Sequence, residues 1–274
     1  MNTLPKEKQL TIIAALVEGN SIRSTERMTG VHRDTIMRLL EKVGGNCTRI
    51  MDETMKDLPC RKVQVDEIWT FVAKKERRRV LPGEDRREMG DQYVFVALDA
   101  DSKLVPVFKI GKRDGETALA TMTELSRRVS RRLQLTTDGF NAYIGGVEES
   151  FGADVDYAML IKEFGPENPD RDRYTPPVVI GVTQVVVNGS PNKDDISTSY
   201  VERQNLTIRM MCRRLTQLTN AFSKKLENLK AAMALHFAYY NFCRVHMTLR
   251  MTPTMAAGIT NHIWGMEELL GYSN

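Results

Sequence analysis

The chain lacks several features that would narrow its class at once. It has only four cysteines, Cys47, Cys60, Cys212 and Cys243, and no two stand at CxxC spacing. That argues against a zinc signature and a disulfide framework, and reduced thiols in the cytoplasm are the expectation. No stretch approaches the ~18 consecutive apolar residues of a membrane span. The opening, MNTLPKEKQL, carries no apolar run, so no secretory signal is expected there. Internal repeats and low-complexity tracts are missing. A strong net charge is missing too: the sum is +4 over 274 residues, which excludes a uniformly basic coat protein.

The charge that is present is unevenly placed. Arg203 to Lys230 holds seven Lys or Arg against the one acid Glu227. Lys74 to Arg87 holds seven against Glu76, Glu84 and Asp85, and Arg127, Arg128, Arg131 and Arg132 form a third cluster. Basic patches on a near-neutral chain point to a polyanion bound along a path, with ordinary solvated faces as the alternative for each patch alone. The apolar fraction is that of a soluble globular protein with material for one large domain or two smaller ones.

In chain order, residues 5–18 are predicted as a helix, with Leu10, Ile13 and Val17 at helical spacing and Gly19-Asn20 as the stop. Ser21 caps a second helix through Met28, and Thr29-Gly30-Val31 forms a turn. A third helix over 32–43 ends at Gly44-Gly45. This is a helix-turn-helix pattern, and its third helix offers His32, Arg33, Thr35 and Arg38 to a major groove. A trihelical protein-interaction module is the alternative. The organisation expected is a DNA-binding unit over 1–45, a helical connector over 46–60, a core over 61–260 with an insertion at about 165–198, and a tail over 261–274.

The core begins with a β-branched and aromatic run at 62–72. Strands are expected there and at 92–100, 104–110, 133–137 and 155–161, and helices at 116–129 and 141–150. Residues 74–90 read as a loop or hairpin tip, and 177–187 as a β-like run inside the insertion. The β-β-β-α-β-α-β order describes an α/β fold, a mixed sheet flanked by helices. A long C-terminal helix over 219–240 carries an apolar stripe, Leu226, Leu229, Met233, Phe237 and Tyr240, suited to core or dimer contact.

Three acids carry the chemistry. Asp66 lies inside the first strand and Asp138 at the end of the fourth, and these strands can be neighbours. Glu202 lies on a helix beginning near Ser199, with Asn205, Arg209 and Arg213 along the same face. Converging carboxylates repel unless divalent cations sit between them, and hard oxygen ligands suit two Mg²⁺ or Mn²⁺ ions. Such a pair acts on phosphodiesters. Read singly, Asp66 fits a strand-edge ion pair, Asp138-Gly139 a turn, and Glu202 a solvated helix face. Glu67 neighbours Asp66, but strand alternation sends it to the opposite face, so it is left out of the set.

Val65-Asp66-Glu67-Ile68-Trp69, Thr137-Asp138-Gly139 and Ser199-Tyr200-Val201-Glu202-Arg203-Gln204-Asn205-Leu206-Thr207-Ile208-Arg209 together resemble the three acid motifs of bacterial DDE transposases, the insertion-sequence-one type above all. Tyr240-Asn241-Phe242-Cys243-Arg244-Val245-His246, with Leu249 and Thr252-Pro253-Thr254-Met255-Ala256-Ala257-Gly258, resembles the segment after the third acid in that group, although Val245 stands where many relatives have proline. The resemblance covers roughly residues 60–260. It implies a ribonuclease H-like core, with Asp66, Asp138 and Glu202 as a metal-binding catalytic triad and Mg²⁺-dependent cleavage and transfer of DNA strands. The Glu202 helix is expected to contact DNA through Arg203, Asn205, Arg209 and Arg213, and a homo-oligomer on double-stranded DNA is expected. A structure-selective nuclease on the same core, or a DNA-binding regulator without catalysis, is the alternative.

Overall fold

The β-branched run at 62–72 forms strand β1 (Lys62–Val72), and its neighbours build around it a six-stranded sheet in the order β3-β2-β1-β4-β5-β6. The others are β2 (Gly90–Asp99), β3 (Val107–Gly111), β4 (Leu133–Thr137), β5 (Val155–Phe164) and β6 (Val179–Asn188). β1–β2, β2–β3 and β5–β6 are antiparallel, whereas β4 runs parallel to both β1 and β5. The computed structural model describes residues 4–76, 83, 85–165, 178–216 and 219–271.

Alternation along the strands decides which helix each residue meets. Phe95, opposite Glu67 in the β1–β2 pair, packs against Tyr143 of helix α5 (Ala142–Phe151), with ring centroids 6.0 Å apart. Lys109 of β3 pairs with Glu124 of helix α4 (Gly115–Arg128) on the same side. On the other face, Phe108 stacks on Phe237 of helix α7 (Leu226–Ala238) at 4.7 Å. There Gln64, almost fully buried, accepts hydrogen bonds from the backbone N–H groups of Tyr200 and Val201 at 2.9 and 3.1 Å. Those N–H groups open helix α6 (Ser199–Met211), so one β1 side chain satisfies its first turn. The α/β class expected from the sequence is therefore observed: a mixed sheet with helices on both faces.

The N-terminal helices are α1 (Lys6–Val17), α2 (Ile22–Thr29) and α3 (Arg33–Thr54). Ser21 caps α2 by accepting from Ser24 N–H at 3.0 Å, and Gly30 ends it in the left-handed conformation. The expectation that Gly44-Gly45 ends the third helix is corrected: α3 runs on through both residues. A Cβ on Gly44 would stand 2.6 Å from the Ala231 backbone of α7, so this glycine serves a close helix crossing instead of a stop. The helix expected over 219–240 is also shorter, beginning at Leu226 and passing into a π-helical turn, Tyr239–Cys243. Part of the expected insertion at 165–198 belongs to the sheet, because β6 pairs with β5; its residues 166–177 lie outside the described residues, as do 77–82 and 84 of the expected hairpin tip. Two short helices, α8 (Pro253–Ala256) and α9 (Met266–Leu269), follow. Among the described residues no helix is long and apolar enough to cross a membrane.

Candidate metal centre

The shortness of β4 makes the site. Thr137, its last residue, pairs with Val65 on one side and Met159 on the other, while β1 continues to Val72 and β5 to Phe164. Past Thr137 these two strands have no described strand between them, and Asp138 heads the notch. Its Oδ1 accepts from Phe140 N–H at 3.0 Å, which fixes the turn. On the β1 side, Asp66 and Glu67 flank the same notch.

One carboxylate oxygen from each of Asp66, Glu67 and Asp138 lies within 4.8 Å of the other two, and this is the one such group among the described residues. Each acid is held by named donors. Asn205 of α6 donates from Nδ2 to Asp66 Oδ2 at 2.9 Å. Tyr143 donates its hydroxyl to Glu67 Oε2 at 2.8 Å, and Arg113 Nε donates to Glu67 Oε1. Arg113 also reaches Asp138 Oδ2 from Nη2 at 3.5 Å and lies 4.2 Å from the centre of the Phe140 ring.

Burial, then the neighbouring charges of Glu67 and Asp138, pushes the Asp66 carboxyl up to about 7. Burial and Asp138 push Glu67 upward. Asp138 also moves upward, burial outweighing the opposing Phe140 N–H and Arg113. Three carboxyls that destabilise one another's charged forms, all with oxygen donors, fit a divalent hard cation, whose charge would reverse that penalty.

Glu202 stands apart from this group. It borders the same recess, with Asp66, Glu67, Ile68, Asn205, Leu206 and Arg209. Its carboxylate Oε1 accepts from Lys162 Nζ of β5 and from Thr198 Oγ1 at 2.5 Å. Its charge still raises Asp66 and Asp138, so the acids feel one another across the recess. Along the same helix, Arg209 donates to the carbonyls of Leu215 at 3.2 Å and Trp69 at 3.4 Å, fastening the end of α6 to β1. Arg203 is exposed, and Arg213, also exposed, lies beyond the end of the helix. At the start of α3, His32 accepts from Asp34 N–H at 3.3 Å; Arg33 and Arg38 are exposed and Thr35 half-buried.

Glu67, Arg113, Tyr143 and Lys162 were not among the expected site residues. Glu67 does leave β1 on the opposite face from Asp66, but alternation separates neighbours only where the sheet continues. With β4 ended, side chains from both faces close over its vacant track. The sequence carries one signal for Lys162, a lysine after the apolar run Ala158-Met159-Leu160-Ile161. It carries none for Arg113, which sits in a connection between β3 and α4.

No family model matches the sequence, and no curated protein does. Solved structures do match. A Mos1 transposase paired-end complex with left transposon end is 14% identical over 57% of this chain and 60% of that one, with a TM-score of 0.26. A piggyBac transposase synaptic complex with hairpin DNA is 11% identical over 99% and 72%, with a TM-score of 0.41. A pre-cleavage Mos1 transpososome is 11% identical over 87% and 79%, with a TM-score of 0.27. The chain thus spans about three fifths of the length of the first of these.

Proposed function

We propose that this chain is a DDE-type transposase of the insertion-sequence-one kind, which binds the ends of a mobile element and cleaves and joins DNA strands. The observation that carries the reading is the notch beyond β4, where Asp66 and Asp138 meet and which Glu202 of α6 borders. Asp66, Asp138 and Glu202 are the proposed ligands of two Mg²⁺ or Mn²⁺ ions. Ions bound there would supply activation of an attacking oxygen and stabilisation of the leaving oxygen of a phosphodiester.

The chain's own residues have separate duties in this reading. Asn205 orients Asp66, so that one oxygen is fixed and the other is free to face the notch. Arg113 and Tyr143 hold Glu67 and keep its charge compensated beside the triad. Thr198 steadies Glu202, and Lys162 holds it until competing charge arrives in the recess. Arg203 and Arg213, exposed on and just beyond α6, offer guanidinium groups to DNA phosphates. Helices α1 to α3 act as a helix-turn-helix that reads the element ends through His32, Arg33, Thr35 and Arg38. The protein acts as a homo-oligomer on double-stranded DNA.

The test uses Asp138→Asn with end-containing DNA. Strand cleavage in Mg²⁺ should vanish while end binding in a gel shift persists; wild-type cleavage by the variant would remove Asp138 from the site. Pre-cleaved ends separate the neighbouring possibilities: joining to a target marks a transposase, cutting without joining marks a nuclease, and binding without either marks a regulator.

A further inference from the structure

A second site lies away from the acids. The N-terminal helices, the end of α6 and the start of α7 enclose a cavity of about 810 Å³, within the size range of small-ligand pockets. Arg23, Arg33, Arg213, Arg214 and Lys224 line it, and among the described residues no acid does. Arg33 has the loose partner Asp34, at 4.0 Å, whereas Arg23, Arg213, Arg214 and Lys224 have no carboxylate partner among the described residues. The interior is apolar, with Leu16, Met37, Leu40 and the ring of Phe222.

Three polar atoms on this lining are buried and unpaired: His236 Nε2, Asn228 Oδ1 and Arg214 Nη2. His236 is 7% exposed and Asn228 8%, so water in bulk does not serve them. Leaving such groups unmet is unfavourable, because each has given up its hydrogen bonds to water. Arg214 is held on its other side, donating from Nη1 to Ser223 Oγ at 2.8 Å. Burial lowers the His236 pKa to about 4, with Arg244 adding to the effect, so the ring is neutral at physiological pH and meets a ligand as a dipole. Cations, apolar and aromatic side chains and a few buried, unpaired polar atoms beneath them surround one cavity, the complement of a phosphate joined to a planar heterocycle.

We propose that this cavity binds one nucleotide unit, its phosphate on the exposed Arg213 and Lys224 and its base inside, beside Arg214, Asn228 and His236. The unit comes either from a free nucleotide or from an unpaired position in a DNA strand, and these share the same chemistry. The site shares α6 with the carboxylate centre but differs from it in charge and in its independence of metal.

The test is fluorescence anisotropy of a labelled trinucleotide with the full chain in chelator, so strand cleavage has no bearing on it. Wild type should bind, and Lys224→Ala should weaken binding about tenfold, the cost of one charge-assisted hydrogen bond. Ala232→Phe fills the interior while leaving every cation in place, and should weaken binding at least as much; Met37→Trp repeats the block from α3, should the first variant fail to fold by circular dichroism. Displacement of the label by an unlabelled deoxynucleoside monophosphate shows that a free nucleotide suffices, and displacement by oligonucleotides alone shows that a strand is required; both support the pocket. No binding by wild type, wild-type affinity in the folded interior variants, or displacement by inorganic phosphate as effective as by the mononucleotide overturns it.

Discussion

Replacing Asp66 by asparagine should change stability in opposite directions with and without metal. The folded protein holds the Asp66 proton more tightly than the unfolded chain does, because burial and two neighbouring carboxyls raise its pKa from 3.8 to about 7. A group shifted this way adds no penalty well below pH 3.8; as pH rises from there to about 7 the folded state loses stability, and above 7 the loss is complete. The shift sets a ceiling of about 4 kcal/mol at pH 8. Asp66 is only half-buried and opens on a recess, so solvent screening reduces the recoverable part to about 1–2 kcal/mol. Asp66→Asn removes the charge and keeps an oxygen that can accept from Asn205. In chelator at pH 8 the variant should therefore melt about 2–6 °C above wild type, and at pH 4 the two should nearly coincide. Adding Mg²⁺ or Mn²⁺ should raise the wild-type Tm through ligand linkage and leave the variant almost unmoved. Thermal denaturation by circular dichroism at the two pH values decides. A variant no more stable than wild type at pH 8 in chelator refutes the electrostatic argument, and equal stabilisation of both proteins by metal refutes the assignment of Asp66 as a ligand.

Three other substitutions address α3. Arg33→Ala and Arg38→Ala should weaken binding to the element ends in gel shifts; removing a phosphate-binding group lowers the salt slope by about one, whereas removing a base-reading group relaxes sequence preference at a cost of about 1–3 kcal/mol. Unchanged affinity in both would assign these helices to protein contacts. Gly44→Ala places a methyl group where the Ala231 backbone stands 2.6 Å away, so the helices must part, and a loss of about 1–3 kcal/mol is expected from denaturant unfolding. A wild-type midpoint would mean that the crossing yields without strain.

The parts of this structure governed by local pattern were legible in the sequence. Runs rich in β-branched and apolar residues located β1 to β5, and Ser21 and Gly30 marked the ends of α2 through capping and a turn. The pairing of β1 with β4, and with it the meeting of Asp66 and Asp138, was among the arrangements the strand order allowed, and it is the one observed. What escaped depended on partners distant in the chain. Gly44-Gly45 has the composition of a helix stop, and only the presence of Ala231 against it explains why the helix continues. Glu67 obeys alternation, yet its carboxylate joins the cluster because β4 is five residues long and leaves the notch open. The pairing of Lys162 with Glu202 likewise joins an edge-side strand to a helix far along the chain.

The continuity of α3 has a geometric consequence. Its 22 residues form one rod, about 33 Å long at 1.5 Å per residue, gripped near its middle by α7. A reading head on a slack tether would sample many positions relative to a cutting centre. A rod allows one distance and one rotational phase. On the proposed reading, in which Arg33 and Arg38 read and Asp138 stands at the cut, the interval between recognised sequence and broken bond would be a constant, measured in base pairs by a helix. One residue added within α3 between Arg38 and Gly44 would turn the head by about 100° and advance it about 1.5 Å, enough to put the read sequence and the cut out of register.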